Sequence, residues 1–174
     1  NVTLKDTDNV TYIYGLFLNC ESLEKAPELE TCNVTTMQYM FEGCKSLKEV
    51  PYYNTHNVRV LNGTFQNCVS LEYVPKFDTS NVETCYNIFN ECKSLKEVPC
   101  FDTSNVADFS EAFRNCQSLK EIPDLDTSKA KSVEVMFYGC INVERGAAEL
   151  YNKLSSQITQ SNFFVNCFKD CGIN

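Results

Sequence analysis

Phe65-Gln66-Asn67-Cys68-Val69-Ser70-Leu71-Glu72-Tyr73-Val74-Pro75-Lys76-Phe77-Asp78-Thr79-Ser80-Asn81-Val82 is the clearest copy of a unit that recurs along most of the chain. Its cysteine belongs to the series Cys20, Cys44, Cys68, Cys92, Cys116 and Cys140, spaced by 24 residues without a slip. Phe17, Phe41, Phe65, Phe89, Phe113 and Phe137 precede those cysteines by three positions, and Leu23, Leu47, Leu71, Leu95 and Leu119 follow by three. A unit this short cannot bury a core alone, so each copy must cover the apolar face of the next. That condition defines a solenoid.

Two segments are readable within one unit. Val82, Cys85, Ile88, Phe89 and Cys92 fall at spacings that share one face of a helix. Thr79, Ser80 and Asn81 before them are good cap residues, so the spacing predicts one short helix per coil. Val106, Phe109, Ala112, Phe113 and Cys116 repeat the pattern. The other half, Leu71 to Val74, predicts a short strand closed by Pro75, which has no amide hydrogen to donate. The expected fold class is therefore α/β: a solenoid of 24-residue coils, with short parallel strands on one face and short helices on the other.

Phe89-x-x-Cys92-x-Ser94-Leu95-x-x-Val98-Pro99, followed by Asp102-Thr103-Ser104-Asn105-Val106, resembles the leucine-rich repeats of BspA-like bacterial surface proteins, which are related to the treponemal type. The resemblance covers residues 2 to about 143. It implies a right-handed leucine-rich-repeat solenoid in a secreted, cell-surface or phage-borne protein that works by binding, and it brings no catalytic residues. The first coil departs from the pattern with Ala26 for Val and Glu30-Thr31-Cys32 for Asp-Thr-Ser, and the sixth has Lys129-Ala130 in place of Asn-Val. Terminal repeats commonly deviate in this way.

Val2 occupies the repeat position of Val50 and Val74, so the sequence opens in mid-coil, which reads as a processed or truncated start with an uncapped end able to pack on another chain or domain. After Cys140 the period breaks. Ala147 to Leu154 begins a longer amphipathic helix, and Phe164-Val165-Asn166-Cys167 recovers one F-x-x-C. The division expected is a solenoid of about six coils over 1–143 and a helical cap over 144–174. No stretch is long and apolar enough to span a membrane, and no signal peptide is present.

The 174 residues, 43% of them apolar, suffice for one continuous core. A net charge of −8 excludes the basic stripe that would displace counterions from nucleic acid. The periodic members of the eleven cysteines are expected to be buried thiols, because side chains stacked in register hold sulfurs side by side rather than facing. Cys167-x-x-x-Cys171 lacks a second pair for zinc and reads instead as one face of the capping helix. No cofactor or metal is implied.

Asp8, Cys32, His56, Ser80, Ser104 and Ser128 share the helix-entry position. Stacking would bring Cys32 and His56 within about 5 Å, where they could activate a thiolate or, with Asp8, hold a metal. The plainer reading makes all six caps on an exposed edge. Asp78, Asp102 and Asp126 form another column, readable as a calcium site or, more simply, as turns in which each carboxylate binds nearby amides. Sequons begin at Asn1, Asn9, Asn33 and Asn62, and glycosylation is not expected from a bacterial or phage source.

If Leu71 and Val74 point inward, the residues before Val and after Pro point outward. Those columns are Lys25, Glu49, Tyr73, Glu97 and Glu121, and Glu28, Tyr52, Lys76, Cys100 and Asp124. Glu49, Tyr52, Tyr73, Lys76 and Glu97 form the candidate partner-binding patch, since tyrosine offers a large contact area with a polar tip. The functions that follow are a non-catalytic binding module for a protein or glycan, or a structural spacer or decoration of a cell surface or phage particle. An enzyme ranks behind both.

Overall fold

The structure is a computed structural model that describes residues 9–157 and 167–171. Its architecture is a stack of coils in which equivalent residues sit one above another. Parallel bridges run Tyr12 to Thr36 to Val60 to Thr84 to Asp108 to Ser132, each step joining positions 24 apart. The phenylalanine column stacks ring on ring, Phe17 on Phe41 at 5.3 Å, then Phe65, Phe89, Phe113 and Phe137 at 5.7, 5.6, 5.6 and 5.0 Å. The leucine column from Leu47 to Leu119 and the cysteine column from Cys44 to Cys140 are fully buried beside it.

The helix expected over Val82 to Cys92, and in each equivalent segment, does not form. Cys85, Asn87, Phe89 and Glu91 donate their amides to Asp108, Ser110, Ala112 and Arg114 of the next coil, at 3.1, 3.0, 2.9 and 2.8 Å. Ile88, Asn90 and Cys92, between them, donate back to Cys85, Asn87 and Phe89. A helix would consume every donor internally; here half of them bind the neighbouring coil. The backbone manages this alternation by entering the left-handed region twice per coil. One column is Gly15, Tyr39, Gly63, Asn87, Glu111 and Val135, the other Asn19, Gly43, Asn67, Glu91, Asn115 and Gly139. Glycine and asparagine predominate there because they tolerate positive φ at least cost.

The four-residue strand expected at Leu71 to Val74 is also reduced. Pairing on this side amounts to single amides such as Glu72 to the Lys48 carbonyl and Lys96 to the Glu72 carbonyl, with isolated bridges Lys25 to Glu49 and Glu121 to Arg145. The proline that follows cannot extend a ladder. Asparagines read as helix caps stitch coils instead: Asn57, Asn81 and Asn105 donate their side-chain amides to the carbonyls of Cys32, His56 and Ser80.

The one α-helix among the described residues is α1, Ala147–Gln157. Ala147, Leu150 and Leu154 are its buried positions. Beyond it, residues 167–170 are a turn rather than the helical face expected of Cys167 and Cys171. Phe137 donates to the Cys167 carbonyl and Gly139 to the Lys169 carbonyl, the pattern that elsewhere links one coil to the next. This register puts Phe168 in the phenylalanine column, 5.7 Å from Phe137, and Cys171 in the cysteine column. The F-x-x-C that continues the stack is therefore Phe168 to Cys171, and Phe164 lies outside the described residues. No helix among the described residues is long and apolar enough to cross a membrane.

Candidate functional site

All ten residues of the two columns expected to point outward are exposed, while Leu71 and Val74 are buried. The side chains form a strip along the stack, and most of its charges cancel between coils. Lys25 pairs with Glu49 at 3.4 Å, Arg145 with Glu121 at 2.7 Å and Lys120 with Glu144 at 2.9 Å, while Lys96 pairs with Glu72. The middle of the strip is different. Within the column Lys25, Glu49, Tyr73, Glu97, Glu121 and Arg145, both outer pairs are joined, whereas Tyr73 and Glu97 have no ion pair. Tyr52 is 63% exposed and Tyr73 45%. Their rings do not touch each other; Tyr73 lies under the Lys96 ammonium, 5.2 Å from it. Glu49 is committed to Lys25, and Lys76 is exposed without an ion pair.

Two recesses open on this strip. One, of 480 Å³, lies between coils and is lined by Glu28 to Thr31 and by Pro51, Tyr52 and Asn54. The other, of 940 Å³, lies where α1 leaves the stack, between Glu121 to Leu125 on one side and Val143 to Leu150 and Lys153 on the other. The sequence signalled neither; the larger depends on where α1 departs from the last coil.

His56 does not engage Cys32. Its Nδ1 meets Asp78 Oδ2 at 2.9 Å, and the contact to Cys32 is the one Asn57 makes with its carbonyl. Asp8 lies outside the described residues. Asp78 Oδ1 accepts from the Ser80 hydroxyl at 2.7 Å and the Ser80 amide at 3.1 Å. Those bonds, with that of His56, hold the Asp78 carboxyl down to about 2. Asp102 binds the Ser104 hydroxyl and amide in the same way, and Asp126 the Ser128 amide; both carboxyls are lowered by those donors. Each aspartate thus closes its own turn. No group of three or more metal-ligating side chains occurs among the described residues.

The periodic thiols have a specific role in the stack. Cys44, Cys68, Cys92, Cys116 and Cys140 donate to the carbonyls of Phe17, Phe41, Phe65, Phe89 and Phe113 at 3.0 to 3.2 Å. Burial pushes the Cys44 thiol up to about 11 and the others of the column higher still. Cys20, Cys32 and Cys100 are exposed. Cys20 is exposed where the rest of its column is buried, and no coil precedes its own among the described residues.

The sequence marks this region as an uncapped end, and the apolar residues it exposes are a further feature. Tyr12, Tyr14, Leu16 and Leu18 are all more than 40% exposed. The signal was present: the second coil has Thr36, Gln38 and Glu42 where the first has Tyr12, Tyr14 and Leu18.

Comparison with known proteins places these features. The profile of a family described as Mycoplasma protein of unknown function, DUF285, matches residues 1–99 and again 48–150. Among solved structures, a leucine-rich-repeat protein of T. pallidum is similar with a TM-score of 0.62 at 24% identity, over 78% of this chain and 62% of its own. One from Eubacterium ventriosum has a TM-score of 0.47 at 23% identity, over 63% of this chain and 29% of its own. The treponemal likeness shows the fold, a leucine-rich-repeat solenoid, and the chain spans less than two thirds of that protein. No curated protein matches.

Proposed function

The chain belongs to the DUF285 family, a BspA-like family of leucine-rich-repeat proteins, and on that premise we propose that it is a non-catalytic binding module of a surface or secreted protein. The binding face is the exposed strip, centred on Tyr52, Tyr73, Lys76 and Glu97, and the ligand is a protein or glycan. One observation carries this reading. In the column from Lys25 to Arg145 intercoil ion pairs join both outer steps and leave out Tyr73 and Glu97, while the Glu72–Lys96 pair of the adjacent column crosses the same coils. An unpaired charge among exposed tyrosines is the composition of a contact anchor rather than of a solubilising surface. Glu49 belongs to the rim, being held by Lys25.

The test is the double variant Tyr52→Ala with Tyr73→Ala. Both side chains are exposed, so the melting temperature should not change. Affinity for a ligand found by screening purified extracellular proteins and immobilised glycans should fall at least about tenfold. Undiminished affinity in the folded double variant would remove the site from the strip.

A second reading, of a spacer or decoration in a cell-surface or phage assembly, draws on the apolar end formed by Tyr12, Tyr14, Leu16 and Leu18. A patch of this kind marks packing against another chain or domain. Replacing Tyr12, Leu16 and Leu18 with serine should then abolish assembly seen by sedimentation while leaving strip-mediated binding intact.

A further inference from the structure

The two recesses on the strip occupy the same position in the repeat. Glu28 and Tyr52 in the first, and Asp124 and Ala148 in the second, are separated by multiples of 24. They are four coils apart, which at about 4.8 Å per coil is about 19 Å. An extended chain covers that distance in about six residues.

The recesses are also alike chemically. Glu28 and Glu30 line the first and Asp124 and Glu149 the second, and none of the four has an ion-pair partner, although acids beside them do. Arg145 and Lys153 also line the second recess; Arg145 is held by Glu121, and Lys153 keeps its charge while its ammonium donates to the Leu125 carbonyl, 2.6 Å away. Glu97, also unpaired, lies between the two. Among the described residues, Lys48, Lys76 and Lys153 are the cations of this face without a carboxylate partner, against Glu28, Glu30, Glu97, Asp124 and Glu149 among its acids. Each recess adds an apolar wall, Leu29 and Pro51 in one, Ile122, Pro123 and Leu150 in the other.

We propose that the strip binds an extended, basic polypeptide segment, with two Lys or Arg side chains about six residues apart entering the two recesses. This rests on the strip reading given above and specifies its partner. The aliphatic stem of a basic side chain packs on an apolar wall while its head reaches the carboxylates. Tyr52, at the lip of the first recess, adds its ring face to a cation there. A neutral glycan could offer these carboxylates hydroxyl donors but no opposite charge, the weaker compensation, and an acidic ligand would be repelled.

The probe is a fluorescein-labelled Gly-Ser peptide with two arginines six positions apart, followed by fluorescence anisotropy. Companion peptides place the arginines two apart, or put glutamates at the six-residue spacing. The six-apart peptide should bind saturably below about 1 mM, and several-fold more weakly at 300 mM than at 50 mM salt. Glu28→Gln with Glu30→Gln, and separately Asp124→Asn with Glu149→Gln, should each weaken it by about threefold to tenfold without moving the melting temperature. No saturable binding, equal binding of the two spacings, or indifference to both carboxamide pairs overturns the proposal. If Tyr52→Ala with Tyr73→Ala abolishes binding while the carboxamide variants retain it, the strip stands and the basic partner falls. If the tyrosine variant binds the peptide fully and the carboxamide variants do not, the recesses stand and the tyrosine anchor falls.

Discussion

Phe89, Cys92 and Leu95 in the middle of the stack, and Phe17, Cys20 and Leu23 at its start, are the same motif in two settings. The first three are essentially removed from solvent; Phe17 and Leu23 are half-buried and Cys20 is exposed. Local structure does not differ, since both segments share the left-handed residues and the same alternation of donors. What differs is the described surroundings: a coil precedes that of Phe89, and none is described ahead of that of Phe17. Burial in this molecule is thus a property of the interface between coils, and a residue contributes according to whether it is covered on one side or two.

The largest expected effect uses the two phenylalanines. Phe89→Ala should cost about 3 to 5 kcal/mol, as a ring removed from between two others leaves a cavity. Phe17→Ala should cost about 1 to 2 kcal/mol, because much of its area is already hydrated. Similar shifts in urea midpoint for the two would break the comparison.

Gly15 and Gly63 sharpen it, being equivalent positions with φ of +57° and +58°. A methyl at Gly63 would fall 2.3 Å from the Tyr39 ring of the preceding coil, whereas at Gly15 it would meet, among the described residues, only its own Leu18 at 3.5 Å. Gly15→Ala therefore measures the backbone strain alone, about 1 kcal/mol. Gly63→Ala adds the intercoil clash and should cost about 2 to 3 kcal/mol. Thermal unfolding of both variants isolates the difference, and equal losses would mean that Tyr39 simply moves aside.

Thiol reactivity reads the same contrast without mutation. At pH 8 a chromogenic disulfide reagent should label Cys20, Cys32 and Cys100 within minutes, and the eight buried thiols only after unfolding. Protection of Cys20 equal to that of Cys92 would show that the first coil is covered in solution.

The smallest effect is electrostatic. The folded Asp78 carboxyl is held near 2, below the ordinary 3.8, so its bonds to Ser80 and His56 add stability that is complete above pH 4 and lost as pH falls through 2. Because the group is open to water, the contribution should be under about 1 kcal/mol. Asp78→Asn should flatten that part of the acid unfolding profile, and an unaltered profile would show that the turn does not depend on the charge.

The period, the Phe, Cys and Leu columns and the outward direction of the strip were legible because they follow from stacking alone. The helix was misread because Val82, Cys85, Ile88, Phe89 and Cys92 have spacings common to a helix and to successive turns of similar length. The discriminating residues lay between them: Asn19, Gly43, Asn67, Asn115 and Gly139, at positions where a repeated helix would have selected stronger formers. Phe168 was overlooked because two F-x-x-C motifs, Phe164 with Cys167 and Phe168 with Cys171, follow one another directly, and what selects between them is spatial: Phe137 and Gly139 donate to the Cys167 and Lys169 carbonyls, and Phe168 stacks on Phe137. The larger recess was hidden because it forms where α1 leaves the stack.

The alternating donors have an electrical consequence. Between the third and fourth coils, Leu61, Gly63, Phe65 and Asn67 aim their N–H groups toward the C-terminal end, while Glu83, Ser94 and Lys96 aim theirs toward the N-terminal end. The peptide dipoles of the two arcs therefore oppose and nearly cancel. An α-helix accumulates fractional charge at its ends; this stack, like a sheet, adds almost none with each coil. Its long-range field is set by side chains, and the distribution of Lys, Arg, Asp and Glu over the coils decides what it attracts from a distance.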